Sequence, residues 1–221
     1  GASAVSGNTY AWTSNPAGFT STSANPNVAP TATTTYYLTE TITATGCTKS
    51  DSVVITVNPL PAATVGTAKT ICLNGTTNIG AAAVVGNTYA WTSNPAGFTS
   101  TSANPMVSPS ANTTYYLTET ITATGCMNMD SVNVTVNPLP AANAGAPSTI
   151  CQLATTNIGA AAVIGNTYSW TSNPAGFTDT NSNPMVAPMA TTKYYITETI
   201  TATGCMNMDS VIVTVNPIPA A

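Results

Sequence analysis

The sequence carries very little charge. Of its 221 residues 5% are charged and histidine is absent, whereas about 25% of residues are charged in ordinary soluble domains. Three basic residues cannot form the cationic stripe that displaces counterions from a nucleic acid, so we expect no nucleic-acid binding. Apolar runs stay well below the roughly 20 residues that span a bilayer. We therefore expect no membrane insertion of this segment.

The same scarcity argues against catalysis and metal binding. Without histidine, acid–base catalysis would depend on an isolated Glu or Asp, and no hydroxyl or thiol has an activating base beside it. The seven acidic residues are spread along the chain, so they do not supply the several carboxylates of a calcium site. Isolated cysteines without histidine do not fit a zinc site. We expect a protein that is not an enzyme and uses no metal or cofactor.

What the sequence does contain is one unit in three copies. The stretch YAWTSNPAGFTSTSANP runs from Tyr10 to Pro26, recurs unchanged from Tyr89 to Pro105, and recurs with few changes from Tyr168 to Pro184. The steps from Tyr10 to Tyr89 and from Tyr89 to Tyr168 are both 79 residues. This period is longer than one solenoid unit and suits a small domain with its own core. We predict three domains, at residues 1–59, 60–138 and 139–221.

The first copy is incomplete compared with the other two. Gly1 aligns with Gly80 and Gly159, so the first copy has no counterpart of the segment from Pro61 to Ile79. Two arrangements follow from this. In the first, which we favour, the chain is a piece of a longer continuous array. In the second, a neighbouring chain donates the missing strand, as in pilus-like assemblies.

Alternating apolar and polar residues predict β-strands. The stretch SVNVTVNP (Ser131–Pro138) places valines on one face, and Thr113–Cys126 alternates in the same way. The predicted inward positions of the last strand are Val53, Ile55 and Val57, then Val132, Val134 and Val136, then Val211, Val213 and Val215. No segment has a helical period. We predict an all-β fold of tandem immunoglobulin-like β-sandwiches, with about seven strands per repeat. We place Trp12, Trp91 and Trp170 in the cores, and expect proline-containing NPLPAA linkers to join the repeats into a rod.

The five cysteines follow the same period. Cys72 and Cys126 lie 54 residues apart, and Cys151 and Cys205 repeat this spacing. An even number in each complete copy indicates disulfides and an oxidising compartment. We expect the bonds Cys72–Cys126 and Cys151–Cys205, which leave Cys47 unpaired within the chain. The alternative joins neighbouring copies through Cys47–Cys72 and Cys126–Cys151.

One acidic residue recurs at an inward strand position in every copy. These residues are Glu40, Glu119 and Glu198. A buried carboxylate is costly unless it is paired or hydrogen-bonded. An acid-promoted Lys–Asn crosslink would need a lysine in each copy, but Lys49, Lys69 and Lys193 occupy non-equivalent positions. We expect each Glu to lie near a strand end, where it reaches solvent or binds threonine hydroxyls.

A row of threonines occupies the outward face of the same strand. In the second copy these are Thr118, Thr120, Thr122 and Thr124, and the outward tyrosines are Tyr37, Tyr116 and Tyr195. Such a row is ordinarily the solvent face of a strand, where threonine is favoured. The alternative is a regular surface that binds ice or stacks on sugars.

The motifs together resemble a known family. The tryptophan in YAWTSNP, the stretch TTYYLTET, Gly-Cys before Asp-Ser-Val, and VxVTVNPLP are similar to the tandem immunoglobulin-like or PKD-like repeats of large secreted surface proteins of the Bacteroidota. These include SprB-type gliding adhesins, which the type IX secretion system exports. The resemblance implies an extracellular, cell-surface stalk or filament segment whose partners are neighbouring repeats. The alternative function is a multivalent binding module for surface glycans or ice.

The resemblance also implies a modification. Bacteria of this group attach O-glycans at Asp-Ser or Asp-Thr followed by a small or aliphatic residue. Here the candidate acceptors are Ser52, Ser131 and Ser210, each between Asp and Val. The alternative is that each Asp opens the last strand of its copy by binding its own turn backbone.

Overall fold

The computed structural model describes residue 1 and residues 3–219, and within them all regular structure is β-strand. The first repeat contains β1 (Asn8–Asn15), β2 (Thr34–Ile42) and β3 (Thr48–Ile55). The second contains β4 (Lys69–Cys72), β5 (Thr77–Asn78), β6 (Asn87–Asn94), β7 (Met106–Val107), β8 (Thr113–Ile121) and β9 (Met127–Asn137). The third contains β10 (Ser148–Cys151), β11 (Thr156–Asn157), β12 (Asn166–Asn173), β13 (Met185–Val186), β14 (Thr192–Ile200) and β15 (Met206–Asn216). The prediction of an all-β fold is confirmed.

Each complete repeat has a large sheet and a small one. The large sheet has the strand order β4-β9-β8-β6 in the second repeat and β10-β15-β14-β12 in the third. The small sheets are the antiparallel pairs β5-β7 and β11-β13. Strands β4 and β10 run parallel to the end of the last strand of their own repeat, with Cys72 opposite Asn137 and Cys151 opposite Asn216. Each complete repeat thus has six strands in the described residues, and a single bridge such as Trp91–Ser100 adds a short further pairing.

The core of the third repeat combines side chains from both of its sheets. Trp170, Ile196 and Val213 of the large sheet are buried together with Val186 of the small one. The Phe177 and Tyr194 rings pack edge to face at 5.3 Å, an arrangement that aromatic quadrupoles favour. Trp91 and Trp170 are 1% exposed and Trp12 is 6% exposed. All three tryptophans therefore lie where strand alternation places them.

The first repeat has a three-stranded sheet, β1-β2-β3, and a less protected apolar face. Val53 is 47% exposed, whereas its counterparts Val132 and Val211 are 4% and 2% exposed. The prediction that Val53 is buried is therefore wrong. The reason is that Val65 and Ile79 are buried in the second repeat, whereas the first has no counterpart of the segment that carries them. A pocket of about 260 Å³ lined by Trp12, Leu38 and Val53 marks the place.

Contacts group the described residues into two compact units. The first comprises Gly1–Ala63, Val84–Tyr89 and Thr118–Met129, and the second comprises the remaining residues. The division passes through the second repeat. The three domains given by the sequence period, 1–59, 60–138 and 139–221, therefore stay a prediction.

Candidate functional site

The cysteines form a bond that the sequence analysis did not expect. Cys72 of the second repeat is joined to Cys205 of the third, with 5.5 Å between their Cα atoms and 133 residues of sequence separation. Cys47 and Cys151 are exposed free thiols, and Cys126 is a partly buried one. The expected pairs Cys72–Cys126 and Cys151–Cys205 are therefore wrong in this structure. The alternative pairs Cys47–Cys72 and Cys126–Cys151 are wrong as well.

Strand register explains why the two cysteines of one repeat do not meet. Cys151 lies opposite Asn216, at the end of β15, whereas Cys205 directly precedes Met206, at its beginning. Eleven residues of strand separate these ends, or about 33 Å at 3.3 Å per residue. A disulfide requires Cα atoms about 4.4–6.8 Å apart. The bond is therefore formed between the early cysteine of one repeat and the late cysteine of the next.

Glu119 is the most enclosed acidic group, together with Glu198. Each is 3% exposed. The Glu119 carboxylate accepts hydrogen bonds from the Ala63 backbone N–H at 2.7 Å and from Asn87 Nδ2 at 2.7 Å. It therefore ties the segment that opens the second repeat to β6 and β8. The expectation that this residue reaches solvent or binds threonine hydroxyls is wrong, because a backbone N–H and an asparagine amide satisfy it instead.

The equivalent acids have weaker surroundings. Glu198 accepts from Asn166 Nδ2 at 2.6 Å and borders a pocket of about 150 Å³ that Ala141, Asn143 and Tyr168 also line. Glu40 accepts from Asn8 Nδ2 at 2.6 Å and is partly exposed. The asparagine is thus a constant partner, 32 residues before each Glu. This constant spacing was the signal in the sequence that could have identified the pair.

The outward face of the large sheet is less regular than the threonine row suggests. In the third repeat Thr197 lies between Ser169 and Met208, and Thr199 lies between Thr167 and Met206. Strand β8 ends at Ile121, so Thr122 and Thr124 belong to the following turn, where Thr124 Oγ1 accepts from the Cys126 N–H. The predicted four-residue row is therefore wrong, and two threonines remain on each strand.

Aromatic and methionine side chains complete this outward face. Tyr37 is 44% exposed and Tyr116 is 39% exposed, while Tyr195 is partly exposed beneath the Lys193 ammonium at 5.1 Å. Met206 and Met208 are 58% and 63% exposed. The face thus offers isolated stacking and thioether groups among hydroxyls, with no enclosed pocket around them in the described residues.

The candidate O-glycosylation serines lie within strands. Ser52 and Ser131 are exposed and Ser210 is partly exposed. Each preceding Asp accepts a hydrogen bond from the serine N–H at 2.7–2.8 Å. Asp209 also accepts from the Ala144 N–H at 2.9 Å. The idea that Asp opens the last strand is wrong, because β3, β9 and β15 begin three residues earlier. Glycosylation of these serines stays a prediction.

Other kinds of site find little support in the part of the chain that is described. Groups of three or more His, Cys, Asp or Glu side chains that could hold a metal ion do not occur among these residues. Within the same residues, no helix has the length and apolar character needed to cross a bilayer. The joint bond Cys72–Cys205, the buried carboxylates and the outward sheet face are thus the candidate functional features.

Comparison with known proteins identifies the second repeat. Residues 60–138 match the family described as Ig-like domain, CHU_C associated. This repeat is an immunoglobulin-like domain. Because the third repeat has the same strand order and the same tryptophan core, the chain is a tandem of immunoglobulin-like repeats. No curated protein matches the chain.

Several solved tandem structures are similar in architecture. A three-domain I-band fragment of titin is 10% identical, with 96% of this chain and 89% of that chain covered and a TM-score of 0.42. Three N-terminal domains of the bacteriophage RB49 capsid protein Hoc are 12% identical, with 96% and 89% covered and a TM-score of 0.40. Extracellular domains 3–5 of Drosophila OTK are 11% identical, with 95% and 85% covered and a TM-score of 0.38.

Proposed function

We propose that this chain is a stalk or filament segment of a bacterial cell-surface adhesin or extracellular fibre, with a mechanical and not a catalytic role. The observation that carries the proposal is the covalent bond between consecutive copies of one unit, Cys72–Cys205. A repeat used for length needs a joint that holds under load. A repeat used for recognition needs instead an exposed constellation of side chains.

The chemistry of the surface supports an extracellular location. A structural disulfide forms and persists in oxidising compartments. The low charge leaves few sites for trypsin-like proteases, since the chain has three lysines and no arginine. Neutral hydroxyl and amide side chains stay hydrated whatever the salt or pH. The partners in this proposal are neighbouring repeats of the same fibre.

A second function, multivalent weak binding of glycans, is favoured by the outward face. Exposed Tyr37 and Tyr116 can stack on sugar rings, and neighbouring hydroxyls can donate hydrogen bonds. Ice binding has less support, because two threonines per strand do not make an extended regular lattice. Loss of glycan binding after Tyr116→Ser on a glycan array would favour this function over the stalk.

The test of the stalk proposal is a segment exchange. In the surface protein that carries this chain, residues 1–221 would be replaced by an unrelated immunoglobulin tandem of equal length. We expect adhesion to surfaces to be retained, because a spacer contributes length and stiffness alone. Loss of adhesion with normal surface display would overturn the proposal and favour a binding role.

A further inference from the structure

The Cys72–Cys205 bond has a mechanical consequence that follows from its position in the chain. It links the end of β4 in the second repeat to the turn before β15 in the third, and it encloses residues 73–204. These enclosed residues include β5 to β14, which make up most of two sandwiches. A bond within one repeat would have enclosed one sandwich and left the next free.

We propose that this disulfide is a tension bypass that prevents the second and third repeats from lengthening when the chain is pulled from its ends. Tension that reaches Cys72 passes through the two sulfur atoms to Cys205, because the covalent bond is the shortest connected path. The enclosed residues then carry no load. Even if their strands separate, they cannot add length between the two ends.

The magnitude is set by the reach of an extended chain, about 3.5 Å per residue. Without the bond, 221 residues extend to about 770 Å. With the bond, residues 1–71 and 206–221 are the extendable parts, and they reach about 300 Å. The disulfide therefore shortens the fully extended chain about 2.5-fold.

Internal repetition indicates that the bypass is a property of the joint and not of one cysteine pair. Cys151 occupies in the third repeat the place of Cys72, opposite the last residue of the final strand. Cys126 and Cys47 occupy the place of Cys205, in the turn that follows β8 or β2 and closes through a backbone bond to Ile121 or Ile42. Any further joint between copies of this unit could form the same bond.

The biological role of the bypass rests on the stalk proposed above. A surface stalk under flow transmits force best when its length is fixed, whereas a stalk that unravels absorbs the pull. The bypass itself can be measured without knowing the role. A stalk that fails the segment exchange could still contain an inextensible pair of repeats.

The test is single-molecule extension of the whole chain, with handles ligated enzymatically to its two termini so that the free thiols are not used. We expect a full extension of about 300 Å for the unaltered oxidised chain and about 770 Å for Cys72→Ser. The matched control, Cys126→Ser, removes a free thiol and should leave about 300 Å.

Two outcomes would overturn the proposal. An unaltered chain that reaches about 770 Å lacks the bond. An unaltered chain that reaches about 400 Å, and lengthens by about 190 Å in Cys126→Ser, has bonds within each repeat. Because these lengths do not depend on adhesion, failure of the bypass and failure of the stalk are distinguishable.

Discussion

Replacing Glu119 by Gln tests whether the buried carboxylate holds the second repeat together. The carboxylate is 3% exposed and accepts from two donors, the Ala63 N–H and the Asn87 side-chain amide. A glutamine amide offers one oxygen and one NH₂ group in the same space. One of the two donors would therefore face another donor, with no solvent to replace the lost acceptor.

The expected loss can be estimated from these two bonds. A hydrogen bond to a charged group contributes about 1.5–3 kcal/mol, and a buried donor left without an acceptor costs about 1–3 kcal/mol. We expect Glu119→Gln to lower the free energy of unfolding of the second repeat by about 2–3 kcal/mol. For a domain of this size the midpoint temperature would fall by roughly 10–20 °C.

The assay is urea unfolding followed by the fluorescence of Trp91, in a chain where Trp12 and Trp170 are phenylalanine. The reference is the same chain with Glu119 intact. Glu40→Gln, read through Trp12 in the matching background, is the control, because Glu40 is partly exposed and its asparagine partner can donate to the remaining oxygen. We expect that control to lose less than about 1 kcal/mol. Equal losses at Glu119 and Glu40 would refute the reasoning.

Three further predictions follow from local geometry. A Cβ at Gly80 would overlap the backbone of the facing loop, whereas one at Gly86, which has a similar positive φ, meets nothing within 4 Å. Gly80→Ala should therefore cost at least about 2 kcal/mol more than Gly86→Ala in urea unfolding, and equal costs would contradict this. Burial raises the pKa of Tyr115 and Tyr194 above the usual 10.0, so their contribution to stability is present below that pH and is lost as pH rises through the folded pKa. Absorbance titration of folded chain should show tyrosines that ionise later than in urea, and coincident curves would contradict burial. In a chain lengthened by one more copy of residues 143–221, peptide mapping should find Cys151 bonded to the added late cysteine, and a bond within its own repeat would count against the joint.

Strand alternation predicted the inward faces well, because burial on one side of a strand leaves a two-residue period in the sequence. Tyr115, Leu117 and Glu119 were placed inward by this period, and the structure buries all three. The same period placed Val53 inward, but its burial depends on a covering segment elsewhere in the chain. Alternation therefore identifies which side of a strand is apolar, and does not show whether something covers it.

The cysteine pairing could not be obtained in this way. Loop length favours closing each repeat on itself, but a disulfide forms between atoms that are already close, and distance depends on which end of a strand each cysteine occupies. Parallel pairing of β4 with the end of β9 puts Cys72 at that end. Nothing in the local sequence around Cys72 reveals a parallel partner more than 60 residues away.

The proline-containing joints make the same point about linkers. Two prolines at alternate positions predicted an extended spacer, yet Pro61 and Ala63 are buried. The Pro61 carbonyl accepts from Asn128 Nδ2 at 3.0 Å, and the Ala63 N–H donates to Glu119. In the third repeat the Pro140 carbonyl accepts from Asn207 Nδ2 at the same distance. These segments are thus the first layer of the repeat that follows them. Their prolines fit because the carbonyl, which proline retains, is the group that makes the bond.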